Sequence, residues 1–240
     1  AERLARDGFD LILTGRRRAL LISLAARIRS AHAVTVTPVI AELSSARDLA
    51  ALERRIRRLP RLDVLVSNAG FGIGLPFAEA PVDRQAAMVE VHVSAAVRLV
   101  HAALAHMRRR GSGSIILVAS MAAFLPLPRS AVYCGTKAFL HTFARALAIE
   151  CRGTGIRVQS LCPGLVDTDF HARNRRRPRP ASRGLVRWTT PERVVEASMR
   201  DLSRGRLLCI PGFWNRVGYL LVRLVPHGLY AVLAARHAWR

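Results

Sequence analysis

Ser120, Tyr133 and Lys137 are the residues of this 240-residue chain whose types and spacing could do chemistry together. Tyr133 and Lys137 stand four apart in Y-C-G-T-K, and on a helix positions i and i+4 share a face. An ammonium held beside a phenol favours the phenolate and lowers its pKa. A phenol titrating at about 10 is a poor acid or base at neutral pH and becomes useful once depressed. Ser120 lies thirteen residues before Tyr133, just after the apolar run SIILV, and could donate a hydrogen bond to the same substrate oxygen. A Tyr–Lys pair at this spacing is also what a solvated helix face carries. The serine, its place after a strand, and Lys137 being the chain's only lysine turn the reading toward chemistry.

The elements that must position these residues follow from periodicity. Short apolar runs at 9–13, 34–39, 64–67, 114–118, 156–161 and 207–210 read as buried strands. Residues 1–6, 19–29, 46–59, 83–109, 132–151 and 191–202 read as helices, the last with Pro191 in its first turn. Strands of about five residues alternating with longer helices predict an α/β fold, a doubly wound parallel sheet with helices on both faces. Ligands in such folds bind beyond the carboxyl ends of the strands, which singles out 14–18, 67–74, 119–129 and 162–170. Residues 1–212 read as one domain, with 213–240 a C-terminal amphipathic extension.

Four ordered motifs carry a family resemblance: S-N-A-G at 67–70, V-A-S at 118–120, Y-C-G-T-K at 133–137 and C-P-G-L-V-D-T at 162–168. The chain resembles the short-chain dehydrogenase/reductase family of the Ser-Tyr-Lys type, over about residues 1–212. That resemblance implies a Rossmann-like fold and a carbonyl–alcohol oxidoreductase using a nicotinamide cofactor. It implies Tyr133 as acid/base, Ser120 polarising the carbonyl, and Lys137 also on the nicotinamide ribose. Pro163, Gly164 and Thr168 would line the nicotinamide, and Asn68, Ala69 and Gly70 would support the adenosine side. The alternatives are a non-catalytic binding protein or inactive fragment of the same fold, and a basic membrane-surface or nucleic-acid-binding protein. The run G-F-G-I-G at 70–74 is not G-x-G-x-x-G and follows the wrong strand, so it reads as a permissive loop beside the substrate cleft.

Charge speaks to the cofactor. NAD enzymes of this fold place an acid after the second strand to hold the ribose 2′-hydroxyl. Here L-T-G-R-R-R at 13–18 has no acid, and a guanidinium fork suits a 2′-phosphate. Arg16 is therefore the candidate phosphate contact, and NADP(H) is favoured over NAD(H). Two positions depart from the family. Val91-His92-Val93 has His where the family commonly has Asn; His92 is either a substitute in the catalytic relay or a packed replacement. Glu42 stands where the family usually has an Asp near the adenine.

Composition bounds the remainder. With 51% hydrophobic residues and mean hydropathy +0.19 the chain is globular, and no unbroken apolar run nears the roughly 18 residues of a spanning helix. No Gly-X-Y period exists, and no metal-ligating cluster is expected. The four Cys form no C-x-x-C pair, as expected of free thiols in a reducing cytoplasm. The net charge of +22 suits an anionic membrane or nucleic acid, or is background arginine scattered along the chain. The reading adopted has no nucleic acid, a small carbonyl or alcohol substrate, a homo-oligomer, and a peripheral membrane contact as a further reading of 213–240. That segment would otherwise pack on the fold or on another subunit. The basic stretch 171–187, with seven Arg and no acid, is either a substrate lid or a solvated loop. The family's first strand and Gly-rich turn have no counterpart before the helix at 1–6. The resemblance thus implies about 20 further upstream residues and an interruption between the strands at 9–13 and 64–67.

Overall fold

The structure is a computed structural model and describes residues 1–170 and 187–225. The chain divides into two compact units, Ala1–Arg58 and Leu59–Arg240. In the first, α1 (Glu2–Arg6) ends in a doubly bonded turn in which Gly8 N–H donates to Ala5 O and Phe9 N–H to Leu4 O. Phe9 is thereby consumed by the helix end, and Asp10 accepts the Thr35 N–H at 2.7 Å. The strand β1 (Leu11–Gly15) consequently starts two residues later than its apolar run suggests. It pairs in parallel with β2 (Val36–Ile40), with Leu11 opposite Val36. The crossover is α2 (Arg18–Ala31), whose Ala25 and Ile28 join Ala5, Leu11 and Val36 in a small core. α3 (Ala46–Arg58) closes the unit, burying Leu49 and Leu52.

The second unit holds β3 (Val64–Ser67), α4 (Val82–Val89), α5 (Ala95–Arg110), β4 (Gly113–Val118), α6 (Ala131–Glu150) and β5 (Ile156–Leu161). Beyond them come β6 (Leu165–Val166), β7 (Trp188–Thr189), α7 (Pro191–Ser203), β8 (Leu208–Cys209) and α8 (Phe213–Leu224). Its main sheet is parallel, in the order β3-β4-β5-β8. β4 carries the core: Ile115 and Leu117 are fully buried and Ile116 nearly so. Successive strand side chains point to opposite faces, so burial of all three requires cover on both sides. Ile116 packs with Leu161, Val194, Ala197, Leu202 and Cys209 on one face. α7 starts with Thr190 accepting the Arg193 N–H and with Pro191 at its first position, where a missing N–H costs nothing. This is the doubly wound, Rossmann-like architecture.

Two expectations change in detail. The helix foreseen over 83–109 is α4 and α5 joined by a π turn, Glu90–Ser94, that contains His92. By length and composition the whole run Val82–Arg110 could cross a membrane, although no unbroken apolar run in it is that long. Ala96, Val100, Ala103 and Met107 are buried, and that is how a core helix behaves. The short pair β6–β7 is an addition to the strands foreseen.

Leu117→Ala removes a fully buried side chain from the central strand. It is expected to cost about 3 kcal/mol of stability, read as a lower urea midpoint at an unchanged m-value. A loss below about 1 kcal/mol would mean that β4 is not the core strand.

Candidate active site

The carboxyl ends of β4 and β5 and the first turns of α6 bring the predicted trio together. Ser120 leaves β4 in extended conformation and its Oγ accepts the Ala122 N–H at 3.1 Å. The same hydroxyl lies near enough to the Tyr133 phenol to act on its titration. One turn further along α6, Lys137 is buried, with its Nζ 5.7 Å from the Tyr133 ring centroid. Its ammonium donates to Val118 O at 2.8 Å, and an ammonium has three donors. A buried cation with donors to spare fits the paired hydroxyls of a ribose. Desolvation lowers the Lys137 pKa to about 8, with nearby Cys162 opposing.

The phenol departs from the sequence expectation. Burial pushes the Tyr133 pKa above its ordinary value; Ser120 pulls it down only in part, and Cys134 adds to the rise. Spacing correctly placed Lys137 near the ring but said nothing of desolvation, which here acts on both partners. In this state the phenol is held as the acid.

His92 is buried in the π turn with both ring nitrogens engaged. Phe71 N–H donates to its Nε2 at 2.9 Å, so Nδ1 carries the proton and donates to Thr136 Oγ1 at 2.9 Å. Thr136 in turn donates to Tyr133 O at 2.8 Å. The ring is therefore a tie between the loop after β3 and the helix that carries Tyr133 and Lys137. No ring nitrogen is left to pass a proton toward Lys137, so the bonding fits the packed replacement of the two readings. The tie dictates Gly70, since a Cβ there would lie 2.7 Å from His92 Nε2. Desolvation first, then the Lys137 charge, lower the His92 pKa to about 3.

Asn68, Ala69 and Gly70 lie exposed just after β3. Pro163 O accepts the Met121 N–H at 2.9 Å, joining the loop after β5 to the turn after Ser120. Gly164 is half-buried beside Asn215, and Thr168 is exposed. Arg16 and Glu42 belong to the first unit, where they form an ion pair at 3.0 Å. Burial tends to raise the Glu42 pKa, but the Ser44 N–H and Arg16 outweigh it and hold the carboxyl below its ordinary value. The basic stretch 171–187 lies outside the described residues except for Arg187, whose guanidinium sits 5.2 Å over the Trp214 ring. Among the described residues no group of His, Cys, Asp and Glu could hold a metal ion.

Two participants escaped the sequence reading. Thr136 sits at i+3 from Tyr133, a spacing that already puts it on the same face. Cys162, with its thiol pushed up to about 11 by burial, lies between Ser160, Ser120 and Lys137. A shallow cleft borders Tyr133, with Ile73, Leu75, Phe77, Met88, Gln85 and Arg129 in its wall. Arg129 adopts φ 61°, a left-handed conformation costly for a residue other than glycine.

A family model described as short chain dehydrogenase matches residues 1–179. The chain is 34% identical over 197 residues to sulfoacetaldehyde reductase 2 of Chromohalobacter salexigens, covering 80% of this chain and 76% of that protein. It is 31% identical over 235 residues to mouse inactive hydroxysteroid dehydrogenase-like protein 1, covering 96% and 69%. A short-chain dehydrogenase from Sphingobium yanoikuyae, solved in complex with NADPH, superposes with a TM-score of 0.82 at 27% identity, covering 94% and 90%.

The neutral burial of His92 has a sign that can be checked. Below pH 6.5 the unfolded chain binds a proton at this ring while the folded chain, with its pKa of about 3, does not. Stability therefore falls as pH drops from 6.5 toward 3, by at most about 1.4 kcal/mol per pH unit. His92→Asn is expected to flatten the urea midpoint across that window. Parallel curves for parent and variant would show that the ring is not buried neutral.

Proposed function

The chain belongs to the short-chain dehydrogenase family, and from that premise we propose that it interconverts a carbonyl and a secondary alcohol with NADP(H). The observation that carries the proposal is the convergence of Ser120, Tyr133 and the buried Lys137 beside the cleft. Bound nicotinamide would supply or accept the hydride. Tyr133 gives its phenolic proton to the carbonyl oxygen in reduction and recovers it in oxidation. Ser120 donates a hydrogen bond to that oxygen, fixing the carbonyl near the phenol. Lys137, anchored on Val118 O, turns its remaining N–H groups to the ribose hydroxyls, with the loop at Pro163, Gly164 and Thr168 alongside. Its charge stabilises the phenolate formed when the proton leaves. His92 positions Tyr133 and Lys137 through Thr136.

For the cofactor, the segment 13–18 carries Arg16, Arg17 and Arg18 and no acid. Arg16 would exchange its surface partner Glu42 for the 2′-phosphate, an ion of higher charge. The reading extends to a small-molecule substrate, a homo-oligomer and a reducing cytoplasm, where the four buried free thiols belong. A second reading, a binding protein without turnover, is favoured by one observation. The relative named inactive aligns over 235 residues.

Tyr133→Phe deletes one hydroxyl and is expected to reduce turnover of a ketone panel at least about a hundredfold while nicotinamide binding and the thermal midpoint persist. Retention of more than a few per cent of activity would exclude the mechanism. Cofactor binding in the parent with no turnover of any carbonyl would favour the second reading.

The cofactor preference has its own test, by equilibrium binding. NADPH should bind the parent more tightly than NADH, and Arg16→Glu should narrow the ratio about tenfold or invert it. Equal dissociation constants in the parent would overturn it.

A further inference from the structure

We propose that α8 is a membrane-surface helix whose outer face docks on an anionic lipid bilayer. Docked there, it would bring the cleft to substrates held in that bilayer; only this last clause rests on the carbonyl–alcohol reading.

The two faces of α8 differ in what they meet. The inner face packs on the active-site loops. Asn215 donates from Nδ2 to Pro211 O at 2.7 Å, and its amide fills the space beside Gly164, where an added Cβ would lie 2.8 Å from Nδ2. Tyr219 packs edge-on against Phe124, ring centroids 4.7 Å apart, in the segment between Ser120 and Tyr133. The outer face is apolar and largely exposed, with only Arg187 among the described residues over its Trp214 ring: Phe213 is 69% exposed, Trp214 39%, Leu220 57%, Leu221 47% and Leu224 79%. At about 100° per residue these five and the half-buried Val217 occupy an arc of roughly 120°. Single exposed apolar residues are ordinary on any protein surface. Five on one face of a twelve-residue helix are the pattern of an interfacial helix.

Charge selects the occupant. The helix sequence FWNRVGYLLVRL contains two arginines and no acid. Both arginines fall along one edge of the apolar arc. Arg216 is held there by its Nε bond to Ile210 O at 2.9 Å, and Arg223 by the Tyr219 ring, 5.7 Å from the guanidinium carbon. A second copy seated on this face would add its own Arg216 and Arg223 to the same edge, with no acid on either helix to pair them. A bilayer with anionic headgroups satisfies the apolar arc and its basic edge at once.

The test is sedimentation of the 240-residue chain with vesicles of phosphatidylglycerol and phosphatidylcholine, against vesicles of phosphatidylcholine alone, at low and high salt. The parent should bind the anionic vesicles at least about tenfold better, less so in salt. Replacing Leu220, Leu221 and Leu224 together by Ser should lower binding at least about fivefold with the circular dichroism spectrum unchanged. Should that variant not fold, brominated lipid decides: it should quench parent fluorescence, and Trp214→Phe should abolish the quenched component. Absence of vesicle binding by the parent, or equal binding by the folded triple variant, overturns the proposal. So does a self-association that the triple variant loses while vesicle binding stays. Vesicle binding is read without cofactor or substrate, so failure of the oxidoreductase reading would leave it untouched, and the reverse holds.

Discussion

Burying one ammonium constrains this site more than anything else in it. Lys137 is among the least exposed polar residues of the chain, and a charge taken out of water must find partners or lose its proton. Val118 O supplies one partner, which fixes α6 against the end of β4. The fall of the Lys137 pKa to about 8 records how incomplete the compensation is. A cation held in that state gains by any hydroxyls that approach it. The same desolvation raises the phenol, so the pair rests as acid and ammonium. The two proton inventories of Tyr133 and Lys137 are linked, and neither can be assigned from spacing alone.

Around that charge the chain uses neutral groups as ties. His92, Thr136 and the Tyr133 carbonyl make a line of hydrogen bonds whose direction is set by the Phe71 N–H at one end. Because each donor has one acceptor, the line orients α6 without adding a second buried charge beside the ammonium. A protonated imidazole there would repel Lys137, and its lowered pKa prevents that. Gly70 is the steric counterpart of this arrangement, a backbone kept bare so that an aromatic ring can reach it.

Much of this was legible in the residues. The spacing of Tyr133 and Lys137 fixes a shared helix face, the apolar run before Ser120 fixes a strand end, and β3 and β5 fall where their apolar runs do. Other features left no local mark. Phe9 is as apolar as any strand residue, yet the end of α1 claims its N–H. The Arg16–Glu42 pair joins residues 26 apart that the sequence presents as two separate cofactor contacts. β6 and β7 are two residues long and carry no period to detect. The direction of the phenol shift depends on a dielectric environment that only the packed α6 creates. The sequence of α8 is consistent with both a packed and an interfacial helix because it holds both patterns, one on each face.

The π turn at Glu90–Ser94 is one residue more than an α-helix would use over the same rise. It can be regarded as an insertion absorbed by the helix rather than extruded as a loop. α4 and α5 are therefore out of phase by about 100° compared with an uninterrupted helix. Gln85 and Met88 reach the cleft wall, and His92 reaches Thr136, only in that phase. A lineage that lost one residue here would keep its composition, its apolar pattern and its Ser120, Tyr133 and Lys137, but would turn a different side of α4 toward the cleft. The shape of the cleft wall is thus exposed to a change in residue count as well as in residue type.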